Sequence, residues 1–379
     1  MNEQENVTTR KLASIQHIAN ITPIEGADKI EVAVIKGWEC VVKKGEFKVG
    51  DCVVYFEVDS ILPERPEFEF LRERKFRIKS IRLRKQISQG LVMPLSIIPG
   101  DVKYKPEDDF NLTELLGVRK HDPQIQSEND ETCDMKKMSP VVKYLMNYSP
   151  FRYVYFKLNK KIKGSWPEWI SKTDEDRIQN CAKLMMNAYD SEWYITEKLD
   201  GQSGTFFTYN YRKWGFNRRA FGVCSRNIWL KSKNSSTYWE VAESLELEKK
   251  LLALKDNYVI QGEILAPKVQ GNKYKVTEPK LYVFNVIKNG TMLSAEDMFV
   301  FCAQNNLPFV PIVKGSFIPV YDIGPGKEVI DVVKYMVKYS QGDSILLKRK
   351  REGIVVRLKK NPRVSLKVIN PEFLLENDE

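Results

Sequence analysis

Two apolar runs, one closing on Tyr194-Ile195 and the other opening at Thr205-Phe206-Phe207, are separated by Glu197-Lys198-Leu199-Asp200-Gly201. One β-strand must therefore end, and another begin, around a lysine, an aspartate and a glycine. A lysine so placed serves as a nucleophile when burial and a nearby metal or basic group lower its pKa enough to leave the amine uncharged. Gly201 permits close approach of backbone to a ligand, while Asp200 can orient the amine or hold a cation. The same residues also fit a plain surface turn, so the remainder of the chain has to discriminate.

With 379 residues there is room for two or three domains and a substantial core. A hydrophobic content of 42% excludes global disorder. No run approaches the roughly 20 apolar residues that span a bilayer, and Met1 to Arg10 has no apolar signal segment, so the expectation is an intracellular protein, cytoplasmic or nuclear, without a membrane partner. The net charge of +10 points to a polyanionic partner, because clustered Lys and Arg release counterions from phosphates. Six scattered cysteines lack a Cys-x-x-Cys pair, and the two histidines, His17 and His121, lack a ligand pattern. Zinc sites and histidine-based catalysis are thereby excluded.

The first hundred residues read as short strands separated by turns: Lys29 to Val34, Trp38 to Val42 and Asp51 to Val58, with Gly37, Gly45 and Gly50 between them. This spacing predicts a small OB-like barrel over residues 1–100. At its end, Arg72, Arg74, Lys75, Arg77, Lys79, Arg82, Arg84 and Lys85 face a single acid, Glu73, with Phe76 interleaved. That density predicts a nucleic-acid-binding face; the alternative is a solvated strand edge. Residues 101–141 are acidic and poor in periodic apolar positions, as in a linker. Residues 142–379 then form a second domain of α+β class on antiparallel sheet, with no regular βαβ spacing. Thr173 with Asp176, Thr237 with Glu240 and Ser294 with Asp297 read as capping boxes, the first opening a helix striped by Ile178, Cys181 and Met185.

Polar residues with chemistry recur at the ends of the second domain's strands: Ser225-Arg226-Asn227, Gly262-Glu263, Phe284, Glu352-Gly353 through Arg357, and Lys367. In that order they resemble motifs Ia, III, IIIa, IV and V of the covalent nucleotidyltransferases, the superfamily of polynucleotide ligases and mRNA capping enzymes. Lys198-Leu199-Asp200-Gly201 is similar to motif I. The combination of an N-terminal OB-like domain with Thr196-Glu197-Lys198 resembles the fifth family of ATP-dependent RNA ligases, members of which seal nicks bearing an RNA 3′-OH. Only 12 residues follow Lys367, which leaves no room for the C-terminal OB domain of DNA ligases and capping enzymes. Ser365 stands where motif V often has a second lysine, leaving Arg363 or a residue outside the motif to make a second phosphate contact.

The resemblance implies roles. Lys198 is the nucleophile toward ATP, and Lys367 and Arg226 offset phosphate charge. Glu197, Asp200, Gly201, Glu263, Phe284 and Glu352 complete the nucleotide site, with Phe284 stacked on adenine. Glu352, Glu263 and Asp200 are the expected ligands of Mg²⁺ or Mn²⁺, and RNA or an RNA-containing nicked duplex is the expected partner. The competing readings are a DNA ligase, a capping-type guanylyltransferase, and, from another class, a non-catalytic nucleic-acid-binding protein.

Overall fold

The computed structural model describes residues 10–100, 109–121, 163–230, 233 and 236–377. In the N-terminal domain, β-branched and aromatic runs build strands β1 (Ala13–His17), β2 (Asn20–Pro23), β3 (Ile30–Ile35), β4 (Trp38–Lys43), β5 (Cys52–Phe56) and β6 (Ser60–Ile61), followed by β7 (Ser80–Leu83), β8 (Gln86–Gln89) and β9 (Leu91–Pro94). They pair antiparallel as β1-β5-β9, β2-β3-β4 and the β7-β8 hairpin. Trp38, Tyr55, Phe56 and Phe68 fill the core between them. The fold is the expected OB-type domain.

The basic stretch beginning at Arg72 spans two elements: Pro66–Arg74 winds as a 3₁₀ helix, and only then does the chain enter the hairpin. Proline at the first position and acidic Glu67 and Glu69 in the first turn favour that helix start. The domain boundary moves. Leu112, Leu116 and Val118 belong to the N-terminal core, and β10 (Arg119–Lys120) pairs with β6, so this body extends to at least residue 121 rather than ending near 100. The linker residues 101–108 and 122–141, and the beginning of the second domain at 142, lie outside the described residues.

Among the described residues the second domain begins with β11 (Lys163–Ser165), β12 (Asp176–Arg177) and α1 (Ile178–Asn187), then β13 (Trp193–Lys198), β14 (Gln202–Lys213), β15 (Phe216–Cys224) and β16 (Ile228–Leu230). Helices α2 (Thr237–Ser244) and α3 (Leu247–Ala253) lead to β17 (Tyr258–Leu265), β18 (Lys280–Lys288) and β19 (Thr291–Met292). After α4 (Ala295–Gln304) and β20 (Ile312–Phe317) come α5 (Val329–Ser340), β21 (Gly353–Leu358), β22 (Asn361–Ile369) and α6 (Pro371–Asn377). A seven-stranded sheet, β11-β16-β15-β14-β17-β18-β19, faces a five-stranded one, β12-β22-β21-β13-β20. The first packs on α2, α3 and α4, the second on α1 and α5. A cleft remains between the sheets.

Of the three expected capping boxes, only that of Ser294 forms its N-cap half: its Oγ accepts the Asp297 amide at 3.1 Å. Thr237 is instead the first helical residue, after Ser236. Thr173 caps nothing. Its hydroxyl meets Ser203 Oγ at 3.0 Å, and the helix starts five residues later because Asp176–Arg177 first pairs in parallel with Leu366–Lys367. Sheet pairing here overrides the local capping signal.

The domains meet at α1. The Arg177 guanidinium lies 5.2 Å from the Trp38 ring centroid and 3.4 Å from Asp59, while Asn180 donates to Glu57. Among the described residues no helix is long and apolar enough to cross a membrane.

Candidate active site

Strand register assembles the site. Lys198 ends β13 opposite Gly353, and Val355, two residues along β21, stands opposite Lys367 of β22. Residues opposite one another in antiparallel strands point to one face, so both lysines enter the cleft. Gly353 is obligatory there: a Cβ would fall 2.2 Å from the Val368 carbonyl oxygen. Gly201 is equally constrained, its Cβ position being 2.4 Å from the Ile264 oxygen. That contact lets β14 turn away directly after Asp200 and brings Glu263 of β17 beside the lysine.

The resulting cavity holds about 210 Å³ and is lined by every nucleotide-site residue read from the sequence: Glu197, Lys198, Asp200, Gly201, Arg226, Glu263, Phe284, Glu352 and Lys367. Lys198 Nζ lies 2.6 Å from Glu352 Oε1. Glu263 Oε1 accepts the Gly201 amide at 3.0 Å, and Asp200 is paired with Lys273 at 2.5 Å. Phe284 forms a wall with Leu199 and Val310, and the Arg357 guanidinium stands 5.9 Å from its ring centroid. Glu197 Oε2 accepts the Ile345 amide at 2.8 Å, whereas its Oε1 is buried without a donor.

Burial alone would lower the Lys198 pKa, but Glu352, Glu263 and Asp200 outweigh it and raise the pKa above the ordinary lysine value. The amine is therefore held protonated when the cleft contains no ligand. Burial, with repulsion from Glu352 and Asp200, pushes Glu263 up to about 8 despite the attraction of Lys198. Glu352 is raised as well, chiefly by burial, and its Oε2 has no partner. Part-buried carboxylates that crowd one another, one with an orphaned oxygen, are suited to a hard divalent cation. Among the described residues no three such side chains form a ready-made metal cluster. One or two carboxylates completed by water and phosphate oxygens match the habit of Mg²⁺, so the donors present fit.

Sequence reasoning missed Asp174, read as part of a helix start. Its carboxylate gathers Lys367 at 2.9 Å, Arg226 at 3.5 Å and Lys120 at 2.6 Å, the last from the N-terminal domain. These lysines hold Asp174 well below the usual carboxylate range in spite of its burial. Lys367, in turn, is lowered by burial and by the neighbouring cations Arg177 and Lys198, against the pull of Asp174. Arg363 does not line this cavity. It donates to the Gly290 carbonyl and borders a larger hollow of about 800 Å³ on the far side of Thr173–Glu175.

The eight N-terminal basic residues do not converge on the cavity. Arg77 is tied to Asp59 at 2.8 Å, and Arg72 to Glu69 at 2.5 Å and Glu64 at 3.5 Å. Lys79 is half-buried; Arg74, Lys75, Arg82, Arg84 and Lys85 are exposed. Arg84 and Lys85 form the two-residue hairpin turn, both at positive φ, 50° and 67°.

A lysine at a strand end between a seven-stranded antiparallel sheet and a five-stranded mixed one, ringed by carboxylates and backed by further cations, is the arrangement of a nucleotidyltransferase of the ligase type. Residues 12–95 match a family model described as an OB-fold domain, and residues 191–369 match the RNA ligase family. Together the two matches and the site support an ATP-dependent RNA ligase with an N-terminal OB-fold domain. Naegleria gruberi RNA ligase, solved as a glutamate-to-alanine variant with ATP and Mn, is 28% identical, with 98% of this chain and 100% of that chain covered at a TM-score of 0.76. The same ligase with pyrophosphate gives 28% identity and a TM-score of 0.74 over 97% and 98% of the two chains. A lysine-to-methionine variant with AMP and Mn gives 28% and 0.74 over 96% and 98%. No curated protein matches the sequence.

Proposed function

We propose that this ATP-dependent RNA ligase joins a 5′-phosphate to an RNA 3′-OH across a nick in a duplex. The observation that carries the reading is Lys198 at the strand end, bound to Glu352 and facing the cations gathered by Asp174. Lys198 Nζ sheds its proton and attacks the α-phosphorus of ATP; the P–N bond forms as the bond to pyrophosphate breaks, leaving lysyl-AMP. The 5′-phosphate of the nucleic acid then takes AMP from Lys198, and the 3′-OH displaces AMP to form the phosphodiester.

This chain's residues have separable tasks. Lys367 and Arg226 face the phosphoryl oxygens, and Lys120 supplies a third positive charge where Ser365 removes one. Phe284 offers its ring to the base, while the orphaned Glu197 Oε1 accepts from an amino group such as adenine carries. Glu263 accepts from a ribose hydroxyl or a metal-bound water. Glu352, with Asp200, would hold Mg²⁺ or Mn²⁺, whose charge would neutralise the carboxylates that keep Lys198 protonated. On the N-terminal domain, the exposed Arg74, Lys75, Arg82, Arg84 and Lys85 would contact phosphates of the duplex.

Incubation with α-labelled ATP or GTP and Mn²⁺, followed by denaturing electrophoresis and then by nicked substrates with an RNA or DNA 3′-OH strand, tests the reading. The expected result is a covalent band with ATP alone and sealing that requires the RNA 3′-OH. A band with GTP would indicate capping chemistry, indifference to the sugar would indicate a DNA ligase, and no band would leave a binding protein.

A further inference from the structure

Joined to the Lys198 cavity through Lys273, which pairs with Asp200, is a second groove of about 470 Å³. Lys273, Lys275, Lys348, Arg349 and Lys350 line it, against two carboxylates, Asp343 and Glu376. We propose that this groove is a polynucleotide-binding site of the ligase domain, which holds backbone phosphates of the RNA-containing strand as it runs to Lys198. The proposal rests on the ligase reading above and extends it to a surface that does not touch the nucleotide.

Three observations separate the groove from a merely solvated run of charge. First, it is wired to the catalytic strand end: Lys273 Nζ is 2.5 Å from Asp200, and Arg349 Nη1 donates to the Lys273 carbonyl at 2.8 Å. Second, both loops that carry the cations are braced. Asn272 clasps Val276 through bonds of 2.9 and 3.0 Å, fixing a turn in which Gln270, Asn272 and Lys275 all have positive φ. Across the groove, the Ser344 amide donates to Arg349 O at 2.7 Å, and Arg351 is anchored on the carbonyls of Tyr339, Ser340 and Gln341. Ordered cations lose little entropy when a phosphate arrives.

Third, the charges divide into occupied and available ones. Lys350 is neutralised by Glu372 at 2.7 Å and Glu376 at 3.1 Å, and Lys273 by Asp200. Lys275 and Lys348 are exposed and make no ion pair among the described residues. These two are the phosphate contacts. Spacing between neighbouring phosphates, not base identity, is what such a pair reads, so the site is indifferent to sequence.

The test uses the full chain and a fluorescently labelled nicked duplex with an RNA 3′-OH strand, titrated over a range of salt. Lys275→Ala with Lys348→Ala should weaken binding about tenfold at low salt and flatten the log–log salt dependence by about 1.4 to 1.8, the share of two phosphate contacts. Lys275→Arg with Lys348→Arg should bind as the unaltered protein does. Self-adenylylation by ATP should keep its KM and rate in both variants, since no RNA takes part in it. Unchanged affinity and salt slope in the alanine variant, with adenylylation intact, would overturn the proposal. A raised KM for ATP would overturn it too, by assigning the groove to the triphosphate. Absence of lysyl-AMP from the unaltered protein would remove the ligase reading beneath it.

Discussion

The cleft around Lys198 and the hairpin of β7 and β8 are both rich in charge, yet they are built on opposite terms. In the cleft, Lys198, Glu263 and Glu352 are part-buried and shift one another's protonation. On the hairpin, Arg82, Arg84 and Lys85 stand in water, where the field is screened. Charge in the cleft is a matter of geometry: removing one group unbalances the others. Charge on the hairpin is a matter of number, and single residues there count for little.

Breaking the cleft should have the largest effect. Lys198→Ala is expected to reduce covalent labelling by ATP by more than about a thousandfold while leaving the circular dichroism unchanged. Retained labelling would remove Lys198 as the nucleophile. Gly201→Ala should cost about 1–3 kcal/mol of stability, since its Cβ meets the Ile264 backbone oxygen rather than a movable side chain. Denaturant unfolding reads that cost, and wild-type stability would show that β14 can shift.

Asp174→Asn tests the cation hub. Lysyl-AMP formation should slow about tenfold in kcat, with KM for ATP less affected, because Lys367, Arg226 and Lys120 lose their common anchor. A purely structural Asp174 would lower the melting temperature and leave the rate per folded molecule alone.

The pH dependence of the ligand-free protein isolates the carboxylates. A folded-state pKa of about 8 for Glu263, above the ordinary 4.5, means that the folded state binds the extra proton. Its stabilisation is complete below the ordinary value and is lost as pH rises through the folded one. Melting temperature should therefore fall between about pH 5 and pH 9, and Glu263→Gln should flatten that slope. An equally steep slope in the variant would place the buried proton elsewhere.

The smallest effect is expected at the hairpin. Replacing Arg82, Arg84 and Lys85 together by alanine should weaken binding of a nicked duplex by less than about fivefold at low salt and leave self-adenylylation untouched. An equal loss in both activities would dissolve the contrast between the two regions.

Most of the cleft was legible because its residues are fixed by strand order. Lys198, Glu263, Phe284, Glu352 and Lys367 each sit at or within an apolar run whose period is 2, and register then leaves little freedom in where they point. The hairpin was legible only as charge density. Its 3₁₀ segment and its two-residue turn at positive φ carry no glycine or asparagine signal, so neither could be read from the residues. Asp174 was concealed for a related reason. Thr173 and Asp176 have the residue types of a helix cap, and the parallel pairing of Asp176–Arg177 with β22 cannot be read locally.

By itself the sequence determined the α+β plan with its N-terminal OB-type domain, and it picked out the lysines and carboxylates that the fold gathers in one cleft, because each depends on local periodicity and on residue chemistry. Tertiary structure alone decided what those charges do. It placed Lys120 of one domain on the same carboxylate as Lys367 of the other, turned Arg363 away to the neighbouring hollow, and set Lys273 between Asp200 and the second basic groove. The physical reason is that pKa and pairing depend on distances across the cleft, between residues far apart along the chain, and those distances come into being only when the sheets pack.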